Sequence, residues 1–291
     1  MFILTFFMAM LTTIAANSTC TSWQECIANK RTIMGEAAYQ LIMAQHDAFK
    51  NNRAPKIADP CIKNIPIIES HEAMVDIRSY HHPRIIMLPD PAKPFASPDH
   101  NSGFAAASKV RATVYTHLNT VIEKLDMLAP AFGYEPGQIT IKVFEGLRSL
   151  QTQAMLFDNK AQEIRQANPS MTEDEIFNET AKWVAPIRNN VPVHSTGGAI
   201  DMRLWDTHVN QFLDMGPFGA IWGKNTTAPT FSEDLTDLQK NNRLLLLIAV
   251  AQAGLVNYAY EFWHFSSGDR YASFWLEDDA AQRKALYDAV N

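Results

Sequence analysis

Cysteine is scarce in this chain, with three residues among 291: Cys20, Cys26 and Cys61. All fall in the first quarter, which excludes a cysteine-rich structural metal site over the remaining three quarters. In an oxidising compartment two of them would pair and one would be left over. Cys26–Cys61 would tie an N-terminal arm to the rest of the chain, and Cys20–Cys26 is the alternative. Basic residues are also few: 25 Lys and Arg stand against 31 Asp and Glu, a formal net charge of -6 at pH 7. No global basic field exists to attract nucleic acid. Phosphate-binding loops and a Ser–His–Asp pattern are missing, as are internal repeats and long low-complexity tracts.

Residues 1–16 carry no charged side chain and end in small residues. The run is shorter than the roughly 18 residues of a membrane span. It reads as a secretory signal peptide cut after Ala16, although the first Lys or Arg is Lys30 and the usual basic start is absent. The expectation is an exported protein of the periplasm or cell envelope, with no stable membrane insertion after cleavage.

What remains has the composition of a soluble globular protein, 47% hydrophobic and 19% charged. Residues 33–50 read as a helix with Ala37, Leu41 and Ala44 on one side. Residues 51–65, with Pro55 and Pro60, read as a linker or arm. Ile65 to Ile77 holds a short strand, and residues 79–102 form a long irregular segment of the kind that tends to be functional or mobile. Helical spacing runs over 104–128, through Val114, Leu118, Val121 and Leu125. Residues 138–144 alternate as a strand, 149–167 and 172–184 read as helices, and 198–204 as a strand. Residues 235–253 read as a buried helix ended by Gly254, and 258–265 as the last core strand. No linker divides residues 62–291. The expectation is an α+β fold: residues 17–61 as a helical arm, then residues 62–291 as one domain with a central, mainly antiparallel sheet flanked by helices.

Two short segments carry the chemistry. In His194-Ser-Thr-Gly-Gly-Ala-Ile-Asp201, Gly197 and Gly198 permit the chain to fold back so that both end residues meet. Asp201 falls among apolar neighbours, where an unpaired acid is costly. A bound metal would offset that cost, and so would an ion pair to Arg203 or Arg148. Glu261-Phe-Trp-His264 adds a second acid and a second imidazole. Positions i and i+3 of a regular strand face opposite ways, so both meet one centre only if the strand ends or bulges between them. Two imidazoles and a carboxylate can hold one zinc ion with an open position for water, and a further carboxylate can move the proton. Arg148, after the strand at 138–144, could meet a developing oxyanion or pair with Glu145. His81 and His82 could line an entrance, His208 reads as exposed, and His46, His71, His100 and His117 show no ligand spacing.

These segments resemble the D-alanyl-D-alanine dipeptidase branch of the zinc D,D-peptidases, the group that includes the vancomycin-resistance dipeptidases. The family pattern S-x-H-x-x-G-x-A-x-D is matched from Pro192 to Asp201 in all but its first position. The pattern E-x-W-H is matched fully by Glu261–His264. Glu145-Gly-Leu-Arg148 stands for the family's D-G-Y-R, and Met215-Gly216, Asn242-Arg243 and Ser267-Gly268-Asp269 are further echoes. The resemblance implies one Zn2+ per chain on the sheet, held by His194, Asp201 and His264. It makes Glu261 the general base and then acid, and Arg148 the stabiliser of the transition state. The implied reaction is hydrolysis of D-Ala-D-Ala in bacterial cell-wall metabolism. A D,D- or L,D-carboxypeptidase trimming peptidoglycan stems is the alternative within enzymes, and a non-catalytic wall-binding protein the alternative outside them. Pro192 stands where the pattern has serine and Leu147 where it has tyrosine. Gly219 stands where the family often has an aspartate that holds a dipeptide's amine, with Asp214 as the nearby carboxylate.

Overall fold

The computed structural model describes residues 21–88, 106–217 and 227–290. Residues 1–16, read above as a signal peptide, Cys20, His100, the part of the 79–102 segment beyond residue 88, and Gly219 lie outside the described residues. In chain order the elements are helices α1 (Trp23–Met34), α2 (Glu36–Lys50) and α3 (Pro60–Lys63); strands β1 (Met74–Asp76), β2 (Ile85–Met87) and β3 (Lys109–Arg111); helix α4 (Ala112–Leu128); strand β4 (Ile139–Glu145); helices α5 (Leu150–Ala167) and α6 (Glu173–Ala181); strands β5 (Ala199–Asp206) and β6 (Gln211–Phe212); helix α7 (Asp237–Gln252); strands β7 (Val256–Tyr258) and β8 (Glu261–Ser266); and helix α8 (Arg270–Leu276).

The architecture is α+β. The main sheet runs β2-β4-β5-β8-β7, with β6 paired to β5, while β1 and β3 form a small sheet of their own. The sheet is mixed rather than mainly antiparallel, because β2 runs parallel to β4. That strand lies inside the segment read as irregular. Its three residues, Ile85 to Met87, are too few to register a period of two.

Apolar spacing explains most of the rest. Val114, Leu118, Val121 and Leu125 of α4 are buried, and so are Leu244 to Val250 along α7. Each large apolar side chain taken fully from water contributes about 1.5–3 kcal/mol, so α4 and α7 supply much of the stability behind the sheet. A capping box starts α7: Thr236 accepts from Gln239 N while the Gln239 side chain accepts from Thr236 N. At its other end Gly254 takes φ +87.

The N-terminal helices differ from expectation. Helix α1 was not legible in WQECIANKRTIM, and Gly35, at φ +73, separates it from α2. On α2 the buried positions are Ala38, Ile42, Gln45 and His46; Ala37 and Ala44 are exposed. Trp23 and Ile27 of α1 enter the main core, and Trp23 Nε1 donates to Ser232 O at 2.9 Å. Cys26 is disulfide-bonded and Cys61 is free and exposed, which eliminates the Cys26–Cys61 pairing. Among the described residues no helix is long and apolar enough to cross a membrane.

A bidentate ion pair pins the parallel strand in place. Arg84 donates to both oxygens of Asp126 at 2.7 Å and to Ile139 O at 2.7 Å. The Arg84 hydrogen bonds hold the Asp126 carboxyl below its ordinary value. A carboxylate depressed in this way stabilises the fold above its unfolded pKa, about 3.9, and loses that contribution as pH falls through its folded pKa. Asp126→Asn is expected to lower stability at pH 7 by about 1 kcal/mol, since the carboxylate is 35% exposed and water screens it. Thermal melts of variant and wild type should converge as pH drops towards 3. A difference that stayed constant across this range would refute the assignment.

Candidate metal centre

The sheet register puts the candidate residues in one row. Glu145 on β4 lies opposite Asp201 on β5, and Asp201 lies opposite His264 on β8. Directly opposed residues of antiparallel strands stand about 5 Å apart at Cβ, so Asp201 and His264 meet as a consequence of pairing alone. His194 arrives from a 3-10 turn, Val193–Thr196, that ends at Gly197 with φ +73. Thr196 closes the turn by donating to Val193 O at 2.6 Å and accepting from Gly198 N at 2.9 Å. A Cβ at Gly198 would come within 2.5 Å of Ser267 O. The glycine pair is thus what lets the turn fold back against the end of β8, as its spacing predicted.

Three ligand-type atoms converge. His194 Nε2 and His264 Nδ1 are 3.0 Å apart, His264 Nδ1 and Asp201 Oδ1 are 3.0 Å apart, and His194 Nε2 and Asp201 Oδ1 are 3.3 Å apart. They form a buried group able to hold a metal ion. The other nitrogen of His194, Nδ1, lies 2.8 Å from Gly146 O. A carbonyl only accepts, so Nδ1 carries the proton and Nε2 presents a lone pair to the centre.

Burial is graded across the centre. The His264 and His194 side chains are 2% and 6% exposed, whereas Arg148 and Glu261 reach 19% and 26%. Burial resists ionisation of Asp201, but His194 and His264 outweigh it and hold the carboxyl far below its usual range. Burial likewise opposes the charged form of His194, and Asp201 outweighs it, so the imidazole pKa is raised. Glu261 goes the other way: burial, reinforced by the charge of Asp201, pushes its carboxyl up. Two carboxylates in one site are therefore driven in opposite directions, the usual mark of different roles.

Glu261 does share the centre with His264, its Oε2 lying 3.9 Å from His264 Nδ1. The strand accommodates this by a bulge. Asn257 pairs with Phe265, and the next residue, Tyr258, pairs with Glu261. Trp263 lies within the bulge and is buried. Arg148 takes the pairing arrangement: Nε and one terminal nitrogen grip both oxygens of Glu145, and the other donates to Gln153 Oε1 at 3.0 Å. The charges of Asp201 and Glu261 also act on it, so the guanidinium is fixed beside the centre. The close contacts of the Asp201 carboxylate are with His194 and His264, while Arg203 stacks on Phe212 and Phe262.

Sequence reasoning missed several residues here. Tyr258 sets its ring edge-on to His264, 5.7 Å between centroids. Gly146 supplies the carbonyl that orients His194. Asp269, at the start of α8, accepts from Ala272 N through Oδ1, and its Oδ2 is buried, as is His264 Nε2, with no hydrogen-bond partner among the described residues. Gly146 and Asp269 both fall in echoed motifs, but backbone carbonyls and register leave no mark in residue type, so the motifs alone do not show these contacts. Other candidates take structural places. His82 Nδ1 accepts from Arg84 N, His208 is exposed, and Asp214 accepts Gln239 Nε2 through both oxygens.

The profile of the peptidase family described as D-ala-D-ala dipeptidase matches residues 112–282. This chain belongs to that family. The D-alanyl-D-alanine dipeptidase of Synechocystis sp. is 25% identical over 169 residues, 52% of this chain and 68% of that protein. The matched region of this peptidase contains the whole tetrad and Arg148. It also contains Arg243, a family echo that is 1% exposed. Arg243 donates to Met215 O, Pro229 O and Thr227 O and lies 3.8 Å over the Phe262 ring. One buried cation thereby ties the chain before and after residues 218–226 to the strand that carries Glu261.

Proposed function

We propose that this peptidase is a zinc-dependent D-alanyl-D-alanine dipeptidase. The observation that carries the reading is the convergence of His194 Nε2, Asp201 Oδ1 and His264 Nδ1, with Glu261 beside them and outside the ligand group. The donor set fits zinc. Ligands about 2.05 Å from a tetrahedral metal stand about 3.3 Å from one another, and the three separations here are 3.0, 3.0 and 3.3 Å. The Gly146 carbonyl on His194 is the kind of outer hydrogen bond that metal-binding imidazoles use.

His194, Asp201 and His264 would hold the ion, leaving the side towards Glu261 for water and substrate. Bound zinc supplies Lewis-acid polarisation of a peptide carbonyl and a water of pKa about 7. Glu261, raised by burial, takes the water's proton and then delivers it to the departing amine. Arg148, fixed by Glu145 and Gln153, offers positive charge to the carbonyl oxygen as it becomes anionic. The burial of the two histidines keeps other water away from that side of the centre.

The wider assignment belongs to the same proposal. Residues 62–291 act as the catalytic unit on dipeptides of cell-wall metabolism, residues 17–61 as its helical arm, and residues 1–16 as a leader for export to the envelope. A second reading is a carboxypeptidase on peptidoglycan stems. It is favoured by Gly219 in place of the amine-holding aspartate and by the engagement of Asp214 with Gln239. An intact tetrad with a depressed Asp201 and a raised Glu261 weighs against a purely wall-binding role.

Release of free D-alanine by purified protein, from D-Ala-D-Ala and from a stem pentapeptide ending in D-Ala-D-Ala, separates the two enzymes. Zinc-dependent release from the dipeptide is the expected result. Release from the pentapeptide alone would replace the dipeptidase with the carboxypeptidase, and no release from either would sink both.

A further inference from the structure

We infer that Asn257 is the positioning residue that shapes the β8 bulge and so sets Glu261 against His264. This rests on the zinc peptidase reading above and goes beyond its residues.

A strand with Glu and His three apart would send them to opposite faces. Here β8 advances from Phe265 to Glu261 while β7 advances only from Asn257 to Tyr258. Three extra residues therefore sit on β8, and backbone groups there lose their ladder partners. Buried carbonyls need donors. The Asn257 carboxamide supplies them: its Nδ2 donates to Glu261 O at 3.2 Å and to His264 O at 3.0 Å. The two residues that must converge are thus bridged through their own carbonyls by one amide.

The amide is itself held on its other polar groups. Its Oδ1 accepts from Thr230 Oγ1 at 2.6 Å, and the backbone carbonyl of Asn257 accepts from Gln45 Nε2 at 2.7 Å. Asn257, Thr230 and Gln45 are 2%, 0% and 1% exposed, so water cannot substitute for any of them. The donor end and the acceptor end of the carboxamide are both used, and no other side chain of that size offers both in that order. Aspartate would set a carboxylate against two carbonyl oxygens. Alanine would leave both carbonyls without this donor and the Thr230 hydroxyl with only its longer bond to Tyr258 O, at 3.3 Å.

Cobalt(II) in place of zinc tests this without relying on substrate. Asn257→Ala is expected to weaken cobalt binding by 10- to 100-fold, the usual range for a group supporting a ligand, and to change the cobalt d–d spectrum. Against whichever peptide the wild type cleaves, kcat should fall about 100-fold with KM within about twofold. Thr230→Val, a milder change, should move the same readouts in the same direction, and Thr230→Ser, which keeps the hydroxyl, should restore them. If Asn257→Ala does not fold, the Thr230 pair decides alone.

A folded Asn257→Ala or Thr230→Val with wild-type cobalt affinity, spectrum and kcat would overturn the inference. So would a Thr230→Ser variant no better than Thr230→Val. A wild type that binds no cobalt sinks the metal reading and this one together. A wild type that binds cobalt but spares D-Ala-D-Ala sinks only the substrate, and the cobalt measurements still decide Asn257.

Discussion

Glu261→Gln is expected to lower kcat by about 10³-fold while zinc remains bound. The size follows from what a positioned general base contributes, about 10²- to 10⁴-fold. Retention of the metal follows from geometry. The three atoms proposed as ligands lie 3.0–3.3 Å apart, whereas Glu261 Oε2 stands 3.9 Å from His264 Nδ1. Glutamine keeps the size and polarity of the side chain and removes only its ability to take a proton. The raised pKa of Glu261, caused first by burial, suits a group that must accept a proton in one step and give it up in the next. Metal content by atomic absorption, measured beside kcat, checks both halves. A variant that lost its zinc, or that kept kcat within tenfold, would remove Glu261 from this role.

Asp201→Asn should do the reverse and cost the metal first. The carboxylate contributes the one negative charge among the three ligand atoms, and it is held ionised far below its usual range. Groups that merely support a ligand are worth about 10- to 100-fold in affinity, so loss of a ligand itself should exceed 100-fold. Activity then disappears at ordinary zinc concentrations and returns in part when zinc is raised. The fold should survive, since the core of α4, α7 and the sheet is built from apolar burial away from this row. Chelator competition followed by circular dichroism distinguishes these outcomes. An Asp201→Asn protein that bound zinc as tightly as wild type would return the residue to a plain hydrogen-bonding partner of the two histidines.

Much of this arrangement was legible in residue types. Helices α4 and α7 could be read because their apolar spacing is long and uninterrupted. Strands β4 and β5 could be read because they are five or more residues with alternating or continuous apolar character. The tetrad was legible because glycines separate His194 from Asp201 and because Glu261 and His264 fall in one apolar run. Strands β2 and β7 have three residues each, too short to carry a period, and β2 sits within a proline-rich stretch. Helix α1 hides its buried face behind Gln, Glu, Asn, Lys and Arg. Gly146 falls in the Glu145–Arg148 motif and Asn257 in none, and residue type shows the part of neither, because each acts through a hydrogen bond that involves a backbone carbonyl.

The pairing of β5 with β8 also governs when the site can come into being. Asp201 and His264 are 63 positions apart and touch only across that pairing. The loop between them must be closed before any contact rewards it, which makes such pairings slow steps in folding. His194 and Asp201 lie on a stretch that can organise locally, as do Glu261 and His264 on their hairpin, yet neither half alone offers three ligands. A chain in which β5 and β8 have not yet paired therefore lacks the assembled centre, and the three groups come together only with that register.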